Sequence, residues 1–152
     1  MLKTRIVDKL LECAKSQERD KYEAAVLTLC SLLENKAFSE ILIKKNALKI
    51  FIKHLNDSKE GLRGTAALCC RNLYVAKPSV QQEFIDGKGT DQLVKLLSSE
   101  NSITVFETIL NLLDLILDEK DRIQINIKEK LQDLHIIDEL DRIIMETSIY
   151  DQ

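Results

Sequence analysis

The residues best equipped for chemistry lie in "EFIDGKGTDQLVKLL", positions 83–97, where two glycines bracket a lysine ahead of a threonine. A phosphate cradle needs a strand followed by GxxxxGK[ST], so that successive backbone N–H groups wrap the anion before a helix begins. This segment lacks that pattern. Gln82 stands five residues ahead of Gly87, where the first glycine belongs, the stretch in front reads as helical, and Thr90 follows Gly89 with no lysine between them. Gly87-Lys88-Gly89-Thr90 is therefore expected to be a corner between two helices. Glycine would supply the left-handed backbone at the helix end, and Thr90 would cap the helix that follows.

The other reactive side chains are scattered. Cys13, Cys30, Cys69 and Cys70 show no CxxC spacing. Cys69 and Cys70, adjacent on a helix, point about 100° apart and cannot easily share one metal ion. Free buried thiols in a reducing compartment are the expectation. His54 and His135 close different helical units, and neither falls in HExxH or any other metal-ligand spacing. No Cys or Ser stands at a readable distance from a base and an orienting third group. The charged run Asp118 to Arg122 reads as a solvated linker. No catalytic residue, metal or cofactor is expected, and an enzyme using Cys69 or Cys70 is the weakest functional class for this chain.

The elements that must position these residues are helices. Of 152 residues, 45% are hydrophobic, only one is Pro and four are Gly, and there is no Trp, which leaves too few turn residues for a β-protein. The net charge of −3 comes from 22 basic and 25 acidic side chains with no basic block, so a nucleic-acid partner is not expected. The N-terminal "MLKTRIVDKLLECAKSQ" carries charges every three or four residues, unlike a signal peptide or membrane span. A soluble cytoplasmic protein is the expectation, with the nucleus as the other compartment and no membrane partner.

Helical periodicity runs through the chain. Ile6, Leu10, Leu11 and Cys13 mark a first apolar stripe, and Ala24, Ala25, Leu27, Leu29, Leu32 and Leu33 a second. Asn35 is placed to cap a short helix, and Asn56-Asp57-Ser58 to cap a long one that begins near Gly61 with Glu60 in its first turn. Pro78 suits the start of another. The order short, medium, long then recurs. "LIKKNALKIFIKHL", "FIDGKGTDQLVKLL" and "LQDLHIIDELDRII" close at Leu55, Leu97 and Ile144, in steps of 42 and 47 residues. "AVLTLCSL", "AALCCRNL" and "ILNLLDL" end at Leu32, Leu73 and Leu115, in steps of 41 and 42. Two independent sets of landmarks share one period, the signature of a repeat architecture.

"FIDGKGTDQLVKLLSS" (84–99) and "AALCCRNL" (66–73) resemble the armadillo repeat family, whose repeats read approximately "IVEAGAIPALVKLLSS" and "AAWALSNLA". HEAT repeats have a similar period but usually two helices per unit, so the short first helix and "LVKLLSS" favour armadillo. The resemblance implies an all-α, right-handed α-solenoid of about three three-helix repeats in one domain, 1–152. Repeats would lie at about 35–75 and 77–117, with partial ones at 3–33 and 119–146.

It also implies a concave face lined by the long third helices. In the importin α group that face carries a ladder of Trp and Asn that grips an extended basic peptide. Here the Trp positions correspond to Leu27, Leu68 and Leu110, and the Asn positions to Ser31, Asn72 and Asp114. Only Asn72 matches, so a nuclear-localisation peptide is not the expected ligand. The strip Glu23, Leu27, Ser31, Gly64, Leu68, Arg71, Asn72, Phe106, Leu110 and Asp114 is expected to hold a partner protein's extended peptide or helix. The plainer alternative makes Leu27, Leu68 and Leu110 ordinary core. A non-catalytic adaptor or scaffold follows, with a nucleotide-exchange co-chaperone of a heat-shock chaperone as the alternative. The surplus of Ile136, Ile137, Ile143 and Ile144 near the end raises self-association through the terminal repeat.

Overall fold

The computed structural model describes residues 1–99 and Met145. The expected helices beyond Ser99, with Phe106, Leu110, Asp114, His135 and the terminal isoleucines, lie outside the described residues. Seven helices are described in 1–99: α1 (Leu2–Ala14), α2 (Arg19–Leu32), α3 (Lys36–Lys44), α4 (Leu48–His54), α5 (Glu60–Ala76), α6 (Pro78–Asp86) and α7 (Gly89–Ser99). No strand occurs among the described residues.

The inward stripe of α1 is rotated from the expected one. Val7, Leu11 and Ala14 are buried, Leu10 and Cys13 are half-buried, and Ile6 is exposed. In α2 the inward residues are Ala25, Val26 and Leu29, continued by Leu33. Asn35 caps α3 as its type predicts, its Oδ1 accepting the Ala37 N–H at 3.0 Å. At α5 the expected cap is displaced. The residue before the helix is Lys59, and Asp57 Oδ1 accepts the Lys59 N–H at 2.9 Å, closing a turn just ahead of the helix. Glu60 does stand in the first turn, where the helix dipole favours it.

Helix α5 is the centre of the packing. Ala66, Ala67, Cys69 and Cys70 are fully buried small side chains, and they let α5 lie against α2, α4 and α6. Around it Leu29, Leu42, Phe51, Leu55, Leu73 and Phe84 are all at 0% exposure. Each such side chain contributes roughly 1.5–3 kcal/mol by leaving water. Two buried polar groups are satisfied by backbone. Ser39 Oγ donates to the Leu33 carbonyl at 2.8 Å. His54 Nε2 lies 3.0 Å from the Ala14 carbonyl, and since that oxygen only accepts, Nε2 carries the proton. The imidazole also stacks on Tyr22, 5.3 Å between ring centroids, so His54 fastens the end of α4 to α1 and α2.

The Gly87–Thr90 segment is a helix corner, but its parts act differently from the expectation. The left-handed residue is Lys88, with φ 61°, whereas Gly87 has φ −78°. Gly89 stands where a Cβ would lie 2.5 Å from the Phe84 ring. Thr90 is already inside α7 and buried, so it does not cap that helix.

Candidate functional site

The α2–α5 face holds all the expected groove residues that are described. At its N-terminal end, Glu23 is mostly buried, with Lys59 Nζ at 2.6 Å from one carboxylate oxygen and Arg19 Nε at 3.7 Å from the other. Arg19 also donates to Ser58 Oγ at 2.7 Å, and the Tyr22 hydroxyl donates to Asp57 Oδ2 at 3.2 Å. Arg63 donates to the carbonyls of Asp57 and Ser58 at 2.9 and 3.1 Å. These bonds tie the α4–α5 loop to the start of α2, and so fix the two long helices relative to each other.

Above that tie a recess of about 130 Å³ opens between the helices, lined by Glu23 and Leu27 of α2 and by Lys59, Gly61, Leu62 and Thr65. Leu27 is 55% exposed and Leu68 39%, so neither is core. Gly64, Arg71 and Asn72 are half-buried on α5, and Ser31 is exposed on α2. Leu68 and Asn72 lie one turn apart, Arg71 beside them, as Leu27 and Ser31 do on α2. The hydroxyls here turn inward on their own helices: Thr28 donates to the Ala24 carbonyl, Ser31 to that of Leu27 and Thr65 to that of Gly61. The face thus offers two uncovered leucines among hydroxyls already bonded within their own helices.

Sequence reading missed Lys59, Gly61, Leu62 and Thr65. Gly61 had one available signal, as the first small residue of α5, and an added Cβ there would meet nothing within 4 Å. The Lys59–Glu23 pair joins residues far apart in sequence and carries no motif.

The thiols weighed for catalysis are poor nucleophiles. Burial pushes the Cys70 thiol well above its ordinary range, and burial with a hydrogen bond to Cys30 does the same to Cys69. Among the described residues, no group of three His, Cys, Asp or Glu side chains is placed to hold a metal ion. No described helix is long and apolar enough to cross a membrane.

With this geometry in view, the chain can be set beside known proteins. No protein-family model matches the sequence, and no curated protein does. Among solved structures, the chain is similar to the armadillo-repeats-only protein ARO of Plasmodium falciparum, at 29% identity and TM-score 0.67, over 77% of this chain and 52% of that one. It is also similar to the designed armadillo repeat protein YIII(Dq)4CqI, at 19% identity and TM-score 0.75, over 91% and 56%. A further designed armadillo repeat protein, solved in complex with the peptide (KR)4, matches at 18% identity and TM-score 0.58, over 77% and 59%. The chain spans about half the length of the first structures it matches. The fold is an all-α solenoid of the armadillo-like repeat type.

Proposed function

We propose that this chain is a non-catalytic protein-binding scaffold, an adaptor that holds a partner's extended peptide or helix along the face formed by α2 and α5. One observation carries the reading: Leu27 and Leu68, on neighbouring long helices, stay uncovered, and Leu27 lines the recess between those helices. A fully covered leucine contributes roughly 1.5–3 kcal/mol, so a partner that buries two of them gains a useful part of its binding energy there. The likeness to designed armadillo proteins supports the reading, since one is solved with the peptide (KR)4 and another was designed for modular peptide recognition. The basic character of that peptide is not carried over. Leucines stand at the expected cage positions, and Glu23, the acidic side chain of the described face, is already held by Lys59.

In this reading the strip Glu23, Leu27, Ser31, Gly64, Leu68, Arg71 and Asn72 continues through Phe106, Leu110 and Asp114 on the next long helix. The repeats divide at about 35–75 and 77–117, with partial units at 3–33 and 119–146, in one cytoplasmic domain.

The test is capture of peptides from an array by wild type, Leu68→Arg and Asn72→Ala. Leu68→Arg is expected to abolish capture of apolar peptides and Asn72→Ala to weaken it. Because Leu68 is exposed, stability should move by less than about 0.5 kcal/mol. Capture unchanged by both substitutions would overturn the reading and move the site elsewhere on the solenoid.

A further inference from the structure

Helix α1 turns a second uncovered surface outward, away from the α2–α5 face. Val7, Leu11 and Ala14 bury one side of α1, which packs on α2 and α3. On the opposite side Leu2 is 72% exposed and Ile6 42%, with Met1 fully exposed ahead of them. Arg5, Ile6, Asp8, Lys9 and Glu12 line a shallow, open depression of about 470 Å³ along this surface. At about 100° per residue the surface divides lengthwise into two flanks. One is apolar, with Leu2, Ile6 and the half-buried Cys13. The other is charged, with Arg5 toward its start and Glu12 toward its end, both exposed.

We propose that this surface binds a second copy of the chain, with the two α1 helices antiparallel about a twofold axis midway between residues 5 and 12. Such an axis lays each flank on its own copy with the direction reversed. The order of charges selects this occupant. Arg5 and Glu12 lie about two turns apart on one flank, so in the antiparallel pair each Arg5 faces the Glu12 of the other copy. A parallel pair would set like charge against like. The same centring brings Leu2 and Ile6 against Cys13 of the other copy. Arg5 has no ion pair among the described residues, so pairing breaks nothing there. Glu12 holds Lys9 of its own helix at 3.0 Å, but both side chains are largely exposed, and such pairs are weak. Lys9 meets its own copy near the axis, the one like-charged contact, and its bond to Glu12 turns the ammonium toward the acid. A 13-residue helix is about 20 Å long, so the contact is small and the association weak and reversible. Where the groove reading holds, the pair presents two α2–α5 faces, and a partner with two binding segments is held more tightly than by one.

The test is sedimentation equilibrium of the whole chain, reduced, from about 10 µM to about 1 mM. The mass should rise from one chain toward two, and less steeply in high salt, which screens the exposed Arg5 and Glu12. Arg5→Glu is expected to weaken association about tenfold, and Glu12→Arg likewise, because each sets like charges face to face. The double variant, Arg5→Glu with Glu12→Arg, should recover it, since opposite charges meet again in exchanged order. Ile6→Glu should abolish it. These side chains are exposed, so the variants should keep the wild-type helix content by circular dichroism. A wild-type chain that stays monomeric throughout the range would overturn the proposal, and that result needs no variant. A dimer unchanged by Ile6→Glu and Arg5→Glu would place the contact on another face and overturn it too. A double variant no tighter than the single ones would overturn the antiparallel pairing. Peptide capture at Leu68 is a separate measurement, so the groove reading and this one fail independently.

Discussion

The α3–α4 and α6–α7 corners sit one repeat period apart and solve the same problem with different residues. At the first, Asn46 takes the left-handed conformation with φ 53°, its N–H bonds the Ile43 carbonyl at 3.0 Å, and the Ala47 N–H bonds that of Leu42 at 3.1 Å. This is the Schellman pattern that ends a helix and turns the chain. At the second, Lys88 takes φ 61° and its N–H bonds the Ile85 carbonyl at 3.1 Å. Aligned by period, Leu42 answers to Phe84, Asn46 to Lys88 and Ala47 to Gly89. Where the helix packs a leucine against the corner, alanine fits. Where it packs a phenylalanine, only glycine does, because a Cβ on Gly89 would lie 2.5 Å from the ring. The glycine thus answers to a neighbour's volume, and the strained backbone beside it is left to a lysine.

The largest expected effect tests that exchange of volume. Phe84 is fully buried and stands edge-on to Tyr74, with centroids 6.0 Å apart and planes at 87°, so its ring cannot easily step aside. Gly89→Ala should therefore destabilise the fold by about 1–3 kcal/mol, read from urea unfolding. Phe84→Leu will cost stability alone, through lost burial and the lost Tyr74 contact. The double variant rebuilds the leucine–alanine pair of the first corner. It should lose less than the two single changes added together, with a coupling of about 1 kcal/mol or more. Strict additivity would mean that the ring does not set the need for glycine.

A smaller effect separates the two left-handed seats. A side chain other than Gly or Asn in this region costs about 1–2 kcal/mol. Lys88→Gly should raise stability by about 1 kcal/mol, after allowance for the freedom glycine adds to the unfolded chain. No gain in the unfolding midpoint would show that Lys88 recovers its strain from some other contact.

These corners also show what the sequence made legible. The corner itself was readable, because a phosphate loop needs residues that positions 82–90 lack and because the period aligned it with Lys44-Lys45-Asn46. The repeat architecture was readable for the same reason: helix ends recur at nearly constant spacing even where side chains differ. What each glycine does was not readable. Backbone conformation and neighbouring volume both select glycine, and only the Phe84 ring beside Gly89 distinguishes them. Outward positions such as Leu27 and Leu68 were legible only as a pair of options, core or surface. Periodicity places a residue on a helix face without saying whether another helix covers that face. The recess residues Lys59, Leu62 and Thr65 depend on how α2 and α5 dock, which no local pattern encodes.

The smallest expected effect is at Asn46, and it decides whether residue type matters at these seats at all. Asparagine visits the left-handed region more easily than other residues with a Cβ. Asn46→Gly therefore relieves little strain in the folded state, and it loosens the unfolded chain by a comparable amount. The net change should stay within about 0.5 kcal/mol, well below the gain at Lys88, when both variants are unfolded side by side in urea. An equal gain at both sites would mean that asparagine holds no advantage over lysine in this conformation. The two corners would then differ only in the volume packed against them, and the reason for Asn46 would have to be sought in its side-chain surroundings instead of its backbone.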